Sequence, residues 1–442
     1  MTLKFGTDGV RGRAYEELTV SGVEALAIAA GTVLGGDAIV IGADTRESGP
    51  DFMAALARGF AHCGIPSWSL GVAPTPAVAH VAAQHGIVGA VVSASHNPFY
   101  DNGIKFFSAE GRKLTNDQQA ALELELANQR DTVEPAPAAP VDRSDLVADY
   151  VQWVQSTVAP RALTQTRVVV DCANGAASAI AAQTLAGLGA HVTAINDHPD
   201  GRNINANNGS TDMSGLSEAV LAGGAQLGIA LDGDADRMLA VDAHGGFVDG
   251  DQLIGICAID LHERGRLNEA TVVVTVMTNL GFRIGMQQRG LAVHETPVGD
   301  RHVLEALAAN RWSLGGEQSG HVIFSDIATT GDGLLTAVQL LDVMARSGSG
   351  LAELAANAMT RLPQRLRNVT VEGSPADVMD ALAEHIQLVE ATLGTTGRVL
   401  VRPSGTEPLI RVMAEAPTQP DADAAVDYLI EALRTLGGPL RH

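Results

Sequence analysis

Short apolar runs rich in Val, Ile and Leu recur along the chain, at Ala38 to Gly42, Ile87 to Val92, Arg167 to Asp171, Leu227 to Leu231 and Thr271 to Met277. Each is followed by a polar, turn-forming loop and then an Ala/Leu-rich stretch of helical character, such as Asp51 to His62 or Ala176 to Gly187. Continuous rather than alternating hydrophobicity marks strands covered on both faces. Strands that alternate with helices read as βα units feeding a largely parallel sheet.

The pattern changes toward the C-terminus. Strands are predicted there at Arg367 to Val371, Arg398 to Val401 and Leu409 to Glu415, packed by helices around residues 375–392 and 420–436, which describes a small α+β unit. Gly245-Gly246 marks a hairpin turn between Met238 to Asp242 and Phe247-Val248, and Asp249 is placed to cap the helix that follows. The Pro/Ala segment Val133 to Pro140 cannot continue a helix, and a helix is predicted after it over Ser144 to Ser156. At 442 residues the chain exceeds one ordinary core. These breaks divide it at 1–155, 156–248, 249–363 and 364–442.

Composition narrows the classes. Few aromatics and abundant Ala, Gly and Val suit buried parallel strands. A formal charge of −22 argues against nucleic-acid and anionic-membrane partners, whose binding needs basic surface. A few convergent Arg and Lys residues can still receive a phosphorylated small molecule. Cys63, Cys172 and Cys257 are too few and too widely spaced for a zinc signature or a disulfide framework, and read as buried thiols of a reducing compartment. Met1 to Phe5 lacks the apolar core of a signal peptide, and no run of about twenty apolar residues could span a bilayer. A cytoplasmic location is expected.

Chemistry concentrates in the loops. Ser93-Ala-Ser-His-Asn-Pro98 follows the run Ile87 to Val92, so its hydroxyls stand at a strand end, where α/β proteins place their reactive groups. Asp232-Gly-Asp-Ala-Asp236-Arg237 follows Leu227 to Leu231. Its three carboxylates alternate with small residues, and in an extended loop all would face one side as hard oxygen ligands suited to Mg²⁺. An EF-hand does not fit, because Arg237 and Ala243 stand where that loop needs Gly and Glu. A serine alone reads as a cap and one acidic turn as solvated. The pairing of the two loops points to a phosphoryl carrier, Ser95, beside a divalent cation.

The residues resemble a known family at five places: Phe5 to Gly12, Ser93 to Pro98 with Asp101 to Lys105, Asp232 to Arg237, Gly316-Glu-Gln-Ser-Gly-His321, and Arg402-Pro-Ser-Gly-Thr-Glu407. In order and spacing they look like the signatures of the α-D-phosphohexomutases. Gly316 to His321, Phe99 to Gly103 and Thr406 to Arg411 look most like the bacterial branch that acts on glucosamine phosphates.

The resemblance implies four domains around a central cleft: three similar α/β domains with mixed, largely parallel sheets and a smaller C-terminal α+β domain. They would be a phosphoserine-bearing domain (1–155), a metal-binding domain (156–248), a sugar-binding domain (249–363) and a phosphate-binding domain (364–442). It implies Mg²⁺ held by Ser95, Asp232, Asp234 and Asp236, and Glu317 and Ser319 on the sugar's C3 and C4 hydroxyls. It also implies a step from glucosamine 6-phosphate to glucosamine 1-phosphate, toward UDP-N-acetylglucosamine and cell-wall precursors. Glucosamine or glucose 1,6-bisphosphate would serve as activator.

The residue types suit these roles. A phosphoserine carries about −1.5 to −2 charge, and beside three aspartates it requires a cation. Arg11, Lys105, Arg237 and His321 are candidates for stabilising the moving phosphoryl group and moving the sugar's proton. For Lys105 to act as a base, its pKa would have to be lowered, for instance by Arg11 or Arg237. Arg402, Ser404, Gly405 and Thr406, with Arg411, form an Arg-bearing turn suited to the phosphate that is not reacting. Gln318 is a candidate for the C2 amino group on the strength of the branch alone. Asp44 to Ser48 and Asp171 to Gly175 read as structural loops. The same chemistry on glucose or mannose phosphates, a phosphatase, and a non-catalytic sugar-phosphate sensor remain as alternatives. Whether the chain forms a homodimer stays open, as does whether a kinase or a sugar bisphosphate first phosphorylates Ser95.

Overall fold

The computed structural model describes residues 4–6, 9–128, 139–370, 375–403 and 409–437. Most of the Pro/Ala segment Val133 to Pro140 lies outside the described residues, as do Thr7, Asp8, Val371, Ser404, Gly405 and Thr406. The chain forms two compact units, Met1–Met277 with Gly290–Ala358, and Thr278–Arg289 with Met359–His442.

The larger unit contains three sheets. In the first, the strand order is Val10–Arg13, Asp101–Phe107, Val88–Val92, Ile39–Ala43, Ser67–Val72 and Val141–Asp142. Asp101–Phe107 runs antiparallel to both neighbours, and the remaining pairs are parallel. The second sheet runs Phe247–Val248, Met238–Asp242, Leu227–Leu231, Arg167–Asp171 and His191–Ile195, with antiparallel pairing at the hairpin side only. The third runs Ala292–Thr296, Thr271–Thr275, Leu314–Gly316 and Val322–Phe324, antiparallel at its last joint. The central strands Ile39–Ala43, Val88–Val92, Leu227–Leu231 and Thr271–Thr275 are buried along their whole length, as their unbroken apolar runs require.

The smaller unit carries an all-antiparallel sheet, Gln364–Thr370, Leu409–Glu415 and Arg398–Pro403, covered by the helices Pro375–Leu393 and Gln419–Gly437. Its core joins Val369, Ile410 and Val412 to Leu382, Leu429 and Leu433. The chain is thus α/β with mixed sheets and ends in an α+β unit. Among the described residues, no helix is long and apolar enough to cross a membrane.

Asp249 caps the helix Gly250–Glu263 through a reciprocal box with Gln252 (3.2 and 3.3 Å). Two elements differ from the periodicity. The helix expected from Ala176 starts at Ala181, because the Ala176 N–H is bonded to Gly233 O (2.8 Å) and the preceding Ala173 and Asn174 are left-handed. The strand expected to reach Met277 ends at Thr275, where the Thr275 hydroxyl accepts from Met277 N (3.3 Å).

Candidate active site

Ser95 stands just past the strand Val88–Val92, and Asp232 just past Leu227–Leu231. The two strands belong to different sheets, and the loops at their C-terminal ends meet tightly. Ser95 is fully buried, left-handed at φ 52°, and its Oγ donates to Asp232 Oδ2 at 2.7 Å. A Cβ at Gly233 would lie 2.6 Å from the Ser95 carbonyl oxygen, so this position in the aspartate loop requires glycine.

The three carboxylates converge through a tight turn rather than by extended alternation, with Ala235 at φ 56° reversing the chain between Asp234 and Asp236. Each offers an oxygen within 4.8 Å of the others, and all three side chains are buried. Asp234 Oδ2 accepts from Thr75 Oγ1 (2.6 Å) and Lys105 Nζ (2.8 Å), while Asp234 Oδ1 and Asp236 Oδ1 are buried with no hydrogen-bond partner among the described residues. Burial and the charges of Asp236 and Asp234 push Asp232 well above the usual carboxylate range. Burial also acts upward on Asp236, but Lys105, His321 and Arg237 more than reverse it and hold that group ionised. Compact, buried, mutually repelling carboxylates with orphaned oxygens are the donor set of a hard divalent cation, and they fit Mg²⁺.

Lys105 reaches this cluster because Asp101–Phe107 returns antiparallel to Val88–Val92, setting Lys105 opposite Val91. Its Nζ lies 2.8 Å from Asp234 and 3.5 Å from Asp236, so two carboxylates of the cluster face it.

A cleft of about 440 Å³ opens beside the cluster, lined by Arg11, Arg237, Lys4, His96, His321, Asp236, Asp300 and Glu317. Arg237 Nη1 lies 3.2 Å from His96 Nδ1, and that nitrogen is 3.3 Å from Ser95 Oγ. Burial, with Arg237 and Arg11, lowers the His96 pKa to about 4, so the imidazole is neutral near pH 7 and accepts from Arg237. The Arg237 guanidinium is held charged despite burial by Asp236, Asp232 and Asp234. His321 lies between two carboxylates, Asp236 (3.6 Å from Nδ1) and Asp300 (3.3 Å from Nε2). These outweigh its burial and raise its pKa. Lys113 pairs with Asp300 in turn. Glu317 Oε1 accepts from Gly299 N at 3.1 Å.

Two predicted residues of the larger unit do not line this cleft. Ser319 does not line it, and its buried Oγ has no hydrogen-bond partner among the described residues. The Gln318 amide points to the start of the helix Gly250–Glu263, donating to Asp251 (3.2 Å) and Asp249 (3.5 Å), which commits it to the scaffold. In the smaller unit, Arg402 and Arg411 face each other across the antiparallel pair, and burial with Arg411 lowers the Arg402 pKa. Two like charges directly opposite on a sheet are unfavourable unless an anion joins them. Ser404, Gly405 and Thr406 of that turn lie outside the described residues. Asp171 holds its own loop through Ala173 N and Gly209 N (both 2.9 Å), as the structural reading expected.

Sequence reasoning did not find Thr75, Asn205 or Lys113, and it placed Arg46 among structural loop residues. The one usable signal was position. Thr75 and Arg46, like Ser95, stand just beyond a strand of the first sheet.

Comparison with known proteins identifies the family. Residues 2–132, 148–246 and 249–362 match the phosphoglucomutase/phosphomannomutase alpha/beta/alpha domains I, II and III, and 366–432 match the C-terminal domain of the same family. The protein named phosphoglucosamine mutase from Frankia casuarinae is 48% identical over 457 residues, covering 100% of both chains. A phosphoglucomutase/phosphomannomutase family protein from Burkholderia thailandensis has the same fold (TM-score 0.82, 24% identity, 99% of each chain). So does Aspergillus fumigatus N-acetylphosphoglucosamine mutase, solved with GlcNAc-6P and magnesium (TM-score 0.70, 20% identity, 99% of this chain and 96% of that one). The chain belongs to the phosphoglucomutase/phosphomannomutase family, the α-D-phosphohexomutases. Within that family, its full-length similarity is to the phosphoglucosamine mutases.

Proposed function

We propose that this phosphohexomutase interconverts glucosamine 6-phosphate and glucosamine 1-phosphate through a phosphorylated Ser95. The observation that carries the reading is the Ser95 hydroxyl, buried 2.7 Å from one of three clustered aspartates at the edge of a cleft lined by Arg11 and Arg237.

The sugar's 1-hydroxyl attacks the phosphoserine phosphorus. The new bond to the sugar oxygen forms as the bond to Ser95 Oγ breaks, giving a 1,6-bisphosphate. His321, held between Asp236 and Asp300, takes the hydroxyl proton in its neutral form, the form those two carboxylates disfavour. Arg11, Arg237 and the Lys105 ammonium stabilise charge on the phosphoryl group in flight. The bisphosphate then reorients, and Ser95 Oγ accepts the 6-phosphoryl group while the 6-oxygen recovers a proton. A divalent cation such as Mg²⁺, bound by Asp232, Asp234, Asp236 and an oxygen at Ser95, would supply the positive charge this cluster requires. Glu317 and Ser319 hold the middle of the ring, which reads alike in both orientations. Arg402, Ser404, Gly405, Thr406 and Arg411 take the phosphate that is not reacting. A kinase or a glucosamine or glucose 1,6-bisphosphate charges Ser95, and the reaction is a cytoplasmic one.

Turnover of the Ser95-phosphorylated protein on glucosamine, glucose and mannose 6-phosphates tests the reading. The specificity constant is expected to be highest for glucosamine 6-phosphate, and Ser95→Ala is expected to abolish turnover. Equal or greater preference for another sugar would overturn the substrate, and an active Ser95→Ala variant would overturn the mechanism.

A further inference from the structure

We propose that Arg46 is a positioning residue for phosphoryl transfer, which together with Asn205 fixes the backbone of the loop that aims Ser95. The inference rests on the phosphoserine reading of Ser95 and adds what keeps that group in place.

Arg46 lies just past the strand Ile39–Ala43, beside the strand that ends at the Ser95 loop. It is 1% exposed, and its guanidinium uses every N–H it has. Nε donates to Asp44 Oδ2 (2.9 Å), Nη2 to Ser95 O (3.0 Å) and Asn97 O (2.8 Å), and Nη1 to Asp101 O (2.9 Å) and Pro98 O. The four carbonyls belong to one segment, the turn joining Val88–Val92 to Asp101–Phe107. From the region of the second sheet, Asn205 Nδ2 donates to two of the same oxygens, Ser95 O (2.9 Å) and Asn97 O (3.1 Å). The other side of Ser95 is held as well. Its N–H donates to Ser93 Oγ (2.9 Å), and Ser93 Oγ donates to Asp44 Oδ2 (2.5 Å), the oxygen that also receives Arg46 Nε.

Asp44 and Arg46 therefore form a buried pair from which the peptide groups on either side of Ser95 are tied. Ser95 needs this because its φ of 52° is unfavourable for a residue with a Cβ, and such a conformation persists only where the surroundings over-determine it. The bonds converge on the reactive residue's own backbone, not on a hydrophobic core. A planar fork with five donors can span four carbonyls, whereas a lysine has three donors on a single nitrogen. The chemistry explains why rigidity matters here. Phosphorus must leave Ser95 Oγ for a sugar oxygen and later return from another, and a displacement of about 1 Å in such a site costs on the order of 100-fold in rate. A loosened phosphoserine also meets water. In that side reaction water attacks phosphorus, the bond to Ser95 Oγ breaks, Ser95 recovers a proton and inorganic phosphate leaves.

The test compares wild type, Arg46→Lys and Asn205→Ala, each phosphorylated at Ser95 and supplied with Mg²⁺ and glucosamine 6-phosphate, with rates taken per folded molecule as counted by circular dichroism. Both variants are expected to lose kcat, about 100-fold for Arg46→Lys, with KM within about twofold. The ratio of inorganic phosphate released to sugar isomerised is expected to rise about tenfold or more over wild type, reflecting the loosened loop. Asn205→Ala removes no charge and keeps the test decisive if Arg46→Lys folds poorly. The clamp is overturned if the folded variants keep the wild-type kcat and release ratio, or if activity falls only in step with the folded fraction. Wild type that fails to turn over would instead overturn the phosphoserine reading, and the clamp's function with it.

Discussion

Ala235 occupies a left-handed conformation, φ 56°, between two of the clustered aspartates, where its backbone oxygen also receives the N–H of Gly333 (2.9 Å). A Cβ in that region costs about 1 kcal/mol or more, which glycine avoids at some cost in unfolded-chain entropy. Ala235→Gly is therefore expected to stabilise the larger unit by up to about 1 kcal/mol in urea unfolding with the aspartates undisturbed; a destabilised variant would show that the methyl is needed for packing. Legibility at this scale divides along one physical line. Ser95, Asp232, Asp234 and Asp236 were readable because each belongs to a short run whose composition is itself unusual. Thr75, Arg46 and Asn205 were not, because what makes them matter is a partner 159, 49 or 110 positions away, and an isolated Thr, Arg or Asn carries no mark of that. Gln318 stands inside a recognisable motif, and the bonds of its amide nitrogen to the neighbouring helix were not readable from that motif.

Helix ends connect the scaffold to the cleft. Asp332 caps the helix Gly333–Ser347, accepting from Leu335 N (2.9 Å), and the Tyr150 hydroxyl donates to both of its oxygens (2.9 Å each). Burial nonetheless raises its pKa to about 6. The unfolded chain ionises near the ordinary value of about 3.9, so between about pH 4 and 6 the native state holds the proton more tightly. Stability contributed by this group falls as pH rises through that window, and the whole penalty, on the order of 3 kcal/mol, is present above it. Asp332→Asn does not titrate. Its unfolding free energy relative to wild type is expected to shift in favour of Asn by about 2–3 kcal/mol from pH 4 to 7.5, and a difference flat with pH would contradict the assignment. Among elements, the strands Arg167–Asp171 and Leu227–Leu231 coincide with their predicted bounds because flanking polar loops delimit them sharply. The later start of the helix at Ala181 was hidden, since the N–H of Ala176 is taken by a loop 57 residues on, at Gly233.

Across the whole molecule, a chain of net charge −22 gathers Lys4, Arg11 and Arg237 around one cleft and sets Asp232, Asp234 and Asp236 beside it. The fold class was legible from the alternation of apolar runs with helices. The antiparallel strand Asp101–Phe107 within the first sheet was not, because pairing direction depends on partners brought together only by the fold. Three buried carboxylates near one another oppose folding until a cation joins them. Removing divalent ions with a chelator is expected to lower the melting temperature and abolish turnover, and Mg²⁺ is expected to restore both. In Asp234→Asn the melting temperature is expected to respond less to Mg²⁺; an unchanged response would remove Asp234 from the metal site.

Where the phosphoryl group of Ser95 goes separates a mutase from a phosphatase and from a sensor. With radiolabelled phosphate on Ser95, a single turnover on unlabelled glucosamine 6-phosphate in Mg²⁺, quenched and resolved by chromatography, follows it. The label is expected first in a sugar bisphosphate and then in glucosamine 1-phosphate, while unlabelled phosphate replaces it on Ser95. Label that stays on the protein, or leaves only as inorganic phosphate, would contradict the mutase mechanism.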